Sequence, residues 1–286
     1  MIYQFMQDQQ GSHTVGKMAG IFKVHRSGYY RWKKNKDKKK DLFYHHMVNE
    51  IKMIQESVKY TYGSPRVTEE LKKRGYTINR KYVARLMKEN HLNCRRKRKF
   101  KLTTDSDHNL APSPNLLNRN FRAVAPNKVW ASDITYIWTQ EGWLYLCVII
   151  DLYSRKVVGW ALSSRIDSDL LLRAFWMAVY TRHPEKGLLF HSDRGSQYCG
   201  KRFRNTLKSH NYIQSMSRKG NCWDNACAES FFKSLKSEWL YDINFKSRRE
   251  AKDLLFEYIE IFYNRKRIHS FLDYLTPEQV EMKFVA

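Results

Sequence analysis

His191-Ser192-Asp193-Arg194-Gly195-Ser196-Gln197-Tyr198 opens a stretch that closes on Asn221-Cys222-Trp223-Asp224-Asn225-Ala226-Cys227-Ala228-Glu229-Ser230-Phe231-Phe232-Lys233. Between its two carboxylates, Asp193 and Glu229, lie 35 residues. A third carboxylate, Asp133, sits upstream in a strand-like run from Val129 to Ile137. Two aspartates and a glutamate on separate elements, brought together by folding, can hold two divalent metal ions. Such a pair can activate a nucleophile and stabilise the leaving oxygen in phosphoryl transfer.

Working outward, strands and helices alternate beyond Asn127. Val129–Trp138, Trp143–Asp151 and Lys156–Leu162 read as three strands, and the apolar run of the second predicts burial on both faces. Their short connections, 139–142 and 152–155, predict antiparallel hairpins. Asp167 or Ser168 caps a helix through Tyr180. Leu188–His191 reads as a short buried strand delivering Asp193 at its end. A helix near Gly200–His210, a strand at Tyr212–Met216 and the helix of Glu229 follow. That order predicts an α/β, ribonuclease-H-like catalytic domain: a mixed five-stranded sheet with helices, in which the strands of Asp133 and Asp193 are neighbours. On the last helix, at about 100° per residue, Ala228, Phe231, Phe232, Leu235 and Trp239 share one arc. Glu229, Lys233 and Lys236 share another, so both lysines are candidate phosphate contacts. Taken alone, Glu229 reads as an exposed glutamate paired with Lys233; the 35-residue spacing and the two upstream aspartates on strands favour catalysis.

The N-terminal third reads as small all-α helix-turn-helix regions. In residues 13–35, Thr14 caps a helix with Val15, Met18 and Ile21 inward, and Ser27 caps a second one. This pair is as consistent with a packing hairpin as with DNA binding. Met47, Ile51 and Ile54 mark an amphipathic helix ending at Ser57. A stronger helix-turn-helix follows, with Ser64-Pro65 as cap and first residue and Asn79 capping the second helix. Val83, Leu86 and Met87 face inward there, leaving Arg80, Lys81, Arg85 and Lys88 for phosphates or bases. The run Arg95, Arg96, Lys97, Arg98, Lys99, Phe100, Lys101 reads as an arm on the DNA backbone.

Composition agrees. The chain has 286 residues, with 52 Lys+Arg against 28 Asp+Glu, a formal charge of +24. That charge favours a polyanionic partner. Residues 1–11 lack a secretory pattern, and no apolar stretch is long enough to span a membrane. Five cysteines show neither a disulfide framework nor zinc-ligand spacing, and read as reduced thiols.

Trp130-x-x-Asp133-Ile134-Thr135, Asp151-x-Tyr153-Ser154-Arg155, His191-Ser192-Asp193-x-Gly195-x-Gln197-Tyr198 and Asp224-Asn225-Ala226-x-x-Glu229 resemble the DDE transposases of bacterial insertion sequences. The match is to the second-reading-frame product of two-frame elements, in the retroviral-integrase superfamily. Tyr263-Asn264-x-x-Arg267-x-His269 and Leu275-Thr276-Pro277 match as well, as do Ser27-x-Tyr29-Tyr30-x-Trp32 and Tyr62-Gly63-x-x-Arg66. The resemblance implies Asp133, Asp193 and Glu229 as catalytic metal ligands for Mg²⁺, with Mn²⁺ able to substitute. It implies nicking at the element's end and strand transfer through a circular intermediate, acting on insertion-sequence end DNA and target DNA. The implied partners are a homo-oligomer on DNA and a first-reading-frame product, or fusion with it. The implied location is the bacterial cytoplasm, associated with the nucleoid.

The expected organisation is a helix-turn-helix-like segment at 1–37 and a second DNA-binding helix-turn-helix with basic arm at 38–101. A linker at 102–125, a catalytic core at 126–245 and a C-terminal helical extension at 246–286 follow. A helix-turn-helix regulator without catalysis, and a nuclease of the same fold that only hydrolyses, are the alternatives. Asp151 is expected to pair with Arg155 or cap its turn, and Asp224 to cap the Glu229 helix. His191 is open between a role beside the site and a buried hydrogen-bonded one. Cys199, Cys222 and Cys227 are expected to pack. Ser247-x-x-Glu250 and Thr276-Pro277-Glu278-Gln279 read as capping boxes.

Overall fold

The computed structural model describes residues 2–36, 42–94, 112–241 and 243–285. Helices α1 (Ile2–Asp8), α2 (Val15–Ile21) and α3 (Arg26–Lys36) pack around Met6, Val15, Met18, Ala19 and Tyr29. Helix α1 was not foreseen, because only Met6 of it is buried. Thr14 caps α2 as expected, but Ile21 is 68% exposed rather than inward. Ser27 lies inside the first turn of α3, its hydroxyl 2.7 Å from His25 Nδ1, and is not the cap.

Helices α4 (Leu42–Ser57), α5 (Ser64–Lys73) and α6 (Arg80–Glu89) bury Met47, Ile51, Val67, Leu71, Val83 and Leu86 against one another. The α5 boundary shifts by one residue: Gly63 is the cap and Ser64 the first helical residue. Asn79 caps α6 by accepting the Lys81 N–H at 2.7 Å. Arg80, Lys81, Arg85 and Lys88 are exposed. Arg95, Arg96, Lys97 and Arg98 lie outside the described residues.

The sheet region runs β1 (Val129–Thr139), β2 (Gly142–Asp151), β3 (Val157–Ser163), α7 (Ser168–Arg182), β4 (Leu189–Ser192), α8 (Ser196–Cys199), α9 (Lys201–Ser209), β5 (Ile213–Met216) and α10 (Ala226–Leu235). A π-helical segment, Lys236–Leu240, continues α10. Helix α11 (Arg248–Phe256) continues through a second one, Glu257–Tyr263, and α12 (Pro277–Val285) closes the described chain. The sheet order is β3-β2-β1-β4-β5. The first three strands pair antiparallel, and β4 joins β1 and β5 in parallel. This is the mixed five-stranded, ribonuclease-H-like arrangement expected from the order of elements. Both sheet faces are covered, by α7 with α9 on one side and by α10 with α11 on the other. That is why β2 is buried without interruption from Leu146 to Asp151.

Helix α7 approaches β3 at Gly159. A Cβ there would collide with the Ala174 carbonyl and stand 2.7 Å from Ala178 Cβ. Gly159→Ala is therefore expected to destabilise the fold by about 1–3 kcal/mol, the cost of overpacking. Thermal unfolding reads this out, and an unchanged midpoint would mean that α7 is free to move.

Two packing features depart from the expected segmentation. Residues 112–125 are not a free linker. Met216 N–H donates to the Pro114 carbonyl, the N–H groups of Leu116 and Leu117 both donate to Ser215 Oγ, and Leu117 is buried. The proline- and asparagine-rich composition reflects an irregular strap over β5, whose backbone polar groups find partners on the core. Nor is the α4–α6 unit insulated from the sheet domain. Tyr62, in the α4–α5 connection, accepts the Ile268 N–H at 2.9 Å and donates to the Lys266 carbonyl at 3.1 Å. Its apolar core is continuous with the one beneath α10. The Asn264 side chain pairs with both backbone groups of Val157, at 2.9 and 3.0 Å, fastening the C-terminal helices to β3.

Candidate active site

The last paired residues of β1 and β4 are Ser132 and Ser192. Asp133 and Asp193 each come next in the chain, so continuing the register sets them side by side, about one strand spacing (~4.8 Å) apart. Neither side chain is left loose. Asp133 Oδ1 accepts the Ile134 N–H at 2.8 Å, and Asp193 Oδ1 accepts the Gly195 N–H at 2.9 Å. A side chain at Gly195 would crowd that turn, since a Cβ would stand 3.1 Å from Asp193 Oδ1. Beneath the pair, the buried Tyr198 hydroxyl meets Ser132 Oγ at 2.9 Å.

Glu229 enters from the first turn of α10, which packs on β1 and β2. Asn225, just before the helix, donates from Nδ2 to the Ser132 carbonyl at 3.2 Å, fastening the helix start to β1 beside Asp133. The buried arc of α10 is the expected one: Ala228, Phe231, Phe232, Leu235 and Trp239. All three carboxylates are half-buried. Burial, then the charges of Asp193 and Glu229, hold the Asp133 carboxyl well above the usual range, partly offset by the Ile134 N–H and by Lys236. Burial and Asp193 likewise raise Glu229. Carboxyls raised by burial and by a neighbouring acid are the mark of like charges packed closely away from water.

Among the described residues, no three His, Cys, Asp or Glu side chains stand together at ligating distance. The donor set still fits a hard divalent cation. It consists of carboxylate oxygens alone, two of them from adjacent strands, in a place where a dication would relieve the repulsion.

The neighbouring residues sort differently from expectation. Lys233 is exposed. Lys236 is half-buried, its ammonium 5.1 Å over the Tyr136 ring, and the Asp133 charge opposes the lowering that burial imposes on it. Asp224 is not a helix cap. It is a buried hub that accepts from both Arg119 and Arg218 at 2.8 Å and from Asn115 at 2.8 Å. Those bonds hold its carboxyl far below the usual range and tie the 112–125 strap to the approach to α10. Asp151 does cap its turn, through the Tyr153 N–H at 2.9 Å, but its ion-pair partner is Arg182 at 3.6 Å. Arg155 turns instead to the Phe121 carbonyl, at 2.7 Å, and to the Cys227 sulfur. His191 is wholly buried beside Ser215 at 2.9 Å, and burial lowers its pKa to about 4, which fits the hydrogen-bonded reading. Cys199 is buried and Cys227 half-buried; the Cys222 side chain lies outside the described residues. Thr276 and Gln279 form the reciprocal capping box, whereas Glu250 returns to the Lys246 N–H rather than to that of Ser247.

Sequence reading missed Glu238 and its partner. Glu238 is 5% exposed and holds Arg267 through two bonds of 2.7 and 2.8 Å, with Arg66 of α5 at 3.5 Å. The signal was present: three residues past Leu235, Glu238 falls on the apolar arc of the helix, where a charge needs a partner.

Residues 123–222 match a family model described as an integrase core domain, residues 229–283 a second of that description, and residues 46–100 an HTH-like domain. The chain is 45% identical over 267 residues to the insertion element IS600 uncharacterized 31 kDa protein of Shigella sonnei, covering 93% of this chain and 98% of that one. It is 41% identical over 288 residues to transposase InsF for insertion sequence IS3A of Escherichia coli (strain K12), covering 100% of both. A structure of the HTLV-2 integrase catalytic core domain in complex with magnesium aligns over 56% of this chain and 99% of that chain, with 19% identity and a TM-score of 0.43.

Proposed function

The chain belongs to the transposases of the IS3 family of insertion sequences, and on that premise we propose that it nicks the element's end and joins the freed 3′ end to a second DNA site. The observation that carries this reading is the trio Asp133, Asp193 and Glu229, drawn from β1, the end of β4 and α10, in which burial and then the neighbouring acids hold Asp133 and Glu229 above the ordinary carboxyl range. These three would hold Mg²⁺, with Mn²⁺ able to substitute. When bound, divalent cations supply activation of the nucleophile and neutralise charge building on the phosphate.

The protein's own groups position and tune. Strands β1 and β4 keep Asp133 and Asp193 abreast, and the Asn225 bond to β1 keeps Glu229 facing them. Lys236 favours the ionised form of Asp133 and offers a cation to the phosphate next to the scissile one. Lys233 adds a mobile charge on the exposed side. Water attacks the first phosphodiester, and the released 3′-hydroxyl attacks the second. No side chain becomes covalently attached, since both nucleophiles come from solvent or DNA. Helices α5 and α6, with Arg80, Lys81 and Arg85, bind end DNA. The protein works as an oligomer on DNA, with the first-frame product or fused to it.

The test is labelled terminal-repeat DNA with Mg²⁺, with and without the first-frame product. Nicks at the element end followed by joined products are expected. DNA binding without nicking under both conditions would return the chain to the role of a regulator.

Lys236→Ala should slow joining more than it weakens end-DNA affinity. It should also move the acidic limb of the rate–pH profile upward. The sign follows from charge: Asp133 serves as a carboxylate, and removing a neighbouring cation raises its pKa further. Lys236→Glu should move the limb further still. An unshifted limb with parental joining in a folded Lys236→Glu protein would remove Lys236 from the site.

End-DNA affinity should fall with salt at a log–log slope of about −5, as for roughly six neutralised phosphates. Reversing the charges of Arg80, Lys81 and Arg85 together should flatten that slope. A slope unchanged from the parent would place the DNA on another surface.

A further inference from the structure

Further along β1 from Asp133 lies a groove of about 550 Å³, walled by Tyr136 and Trp138 of β1, Trp143 of β2, and Lys236 and Tyr241 beyond α10. Three of its aromatic rings are unusually open: Tyr136 is 39%, Trp138 59% and Trp143 43% exposed. They form a cluster, with Trp143 set edge-on to Trp138 at 4.8 Å and to Tyr136 at 5.0 Å between ring centres. The register explains this. Trp138 faces Trp143 directly across the β1–β2 hairpin, and Tyr136, two residues back, lies on the same side of the strand.

The groove exists because β4 is short. It pairs with β1 only from Val129 to Ser132, and the next pairing at that edge is the Thr139–Phe245 bridge. The open interval begins at Asp133. Tyr136 lies three strand residues further on, about 10 Å, where alternation turns its side chain to the other side of this unpaired edge from Asp133. On the other wall, Lys236 lies two helical turns past Glu229, again about 10 Å. Lys236 joins the two regions: it lines the groove, sits over Tyr136, and feels the charge of Asp133.

Large aromatic rings left open beside a cation, in a chain of charge +24, suit one class of ligand. Every nucleobase has a π-face that stacks on such rings whatever its sequence, while the flanking phosphate seeks a positive charge. We infer that this groove takes an unpaired nucleobase of the DNA strand being cut, stacked on Trp138 and Trp143, with its neighbouring phosphate on Lys236. The inference rests on the catalytic reading above. Fraying the duplex next to the scissile phosphate lets the strand lie between the carboxylates and the groove, and the captured base keeps it there. The amides of Gln140 and Asn244, also in the lining, supply polar contacts that need not select one base.

The test compares the full chain with Trp138→Ala, Trp143→Ala and Trp138→Phe. Two probes are used: a duplex oligonucleotide with a short unpaired tail, and the same duplex fully paired. The parent should prefer the tailed duplex. Either alanine variant should bind it about tenfold more weakly, within the range for loss of one stacked base, and bind the paired duplex as the parent does. Trp138→Phe should retain most of the preference. Because both indoles are partly solvent-exposed, the melting temperature should hold and serves as the folding control. An unchanged preference for the tail in both alanine variants overturns the inference. So does a change of oligomeric state with that preference intact, which would assign the groove to a second copy of the chain. Cleavage by the parent is scored in the same reactions. If it is absent while the tryptophan-dependent preference persists, the stacking site stands and the catalytic reading falls.

Discussion

Asp133→Asn is expected to abolish nicking and joining while making the metal-free protein more stable. The loss should be roughly a thousandfold or more, since the several kcal/mol that metal ligation contributes to a phosphoryl transition state correspond to factors of that size. Asp193→Asn and Glu229→Gln should be comparably inactive. All three should keep end-DNA affinity, which is assigned to the N-terminal helices. The gain in stability follows from linkage. The Asp133 carboxyl is held above its ordinary range by burial and by its acidic neighbours. As pH rises from the ordinary aspartate range through that raised value, the folded protein must ionise a group that resists ionisation, and stability is lost. An amide removes the penalty at neutral pH and can still accept the Ile134 N–H. A rise in melting temperature of about 2 °C or more would correspond to ~1 kcal/mol in a protein of this size. Mg²⁺ or Mn²⁺ should raise the melting temperature of the parent, by binding the folded state alone, and not that of the variant. An active Asp133→Asn protein, or one equally stabilised by the cations, would dismiss Asp133 as a ligand.

Arg267→Ala should be the most destabilising single change outside the sheet. Arg267 is 3% exposed and locked to Glu238. Burial alone would lower its pKa, but the paired carboxylate outweighs that and holds it above the ordinary value. Removing the guanidinium takes away the two shortest bonds to the buried Glu238 and leaves it longer contacts such as Arg66 at 3.5 Å and the Tyr258 hydroxyl at 3.4 Å. Breaking such a pair costs about 3–5 kcal/mol, a fall of the order of 10 °C in melting temperature. Arg66→Ala should cost less, because its contact is longer and more exposed. The pair also matters for the site: Glu238 lies in the continuation of the helix that carries Glu229, and Arg267 Nη2 reaches Ser234 on the same helix at 3.0 Å. Loss of Arg267 should therefore reduce joining at temperatures where the protein remains folded. A melting temperature within 2 °C of the parent, on the scale of a surface change, would show that Glu238 finds another partner.

Much of this molecule is written in local pattern. Alternation and hairpin-length loops in 129–162 define the antiparallel half of the sheet, because side-chain period and connection length are local properties. The apolar arc of α10 is legible for the same reason, and with it the side from which Glu229 projects. Motif spacing named Asp133, Asp193 and Glu229 before any contact was visible. What pattern does not carry is the choice of partner. A buried charge announces that it needs an opposite charge, but not which one. Asp151 took Arg182 rather than Arg155, and Asp224 gathered Arg119 and Arg218 from segments 105 and 6 residues away. Glu238 was passed over because its partner arrives only once the C-terminal helices fold back. The strap at 112–125 reads as a linker because irregular backbone has linker composition whether or not it is packed. The aromatic groove belongs to neither β1 nor α10 alone. It opens only because β4 stops after four residues, a length decided by where the chain turns to present Asp193. Local pattern carried the elements and their order and nominated the three acids; the pairing of buried charges and the shape beside the acids came only with the tertiary fold, because both depend on groups that are distant in sequence and share one small space.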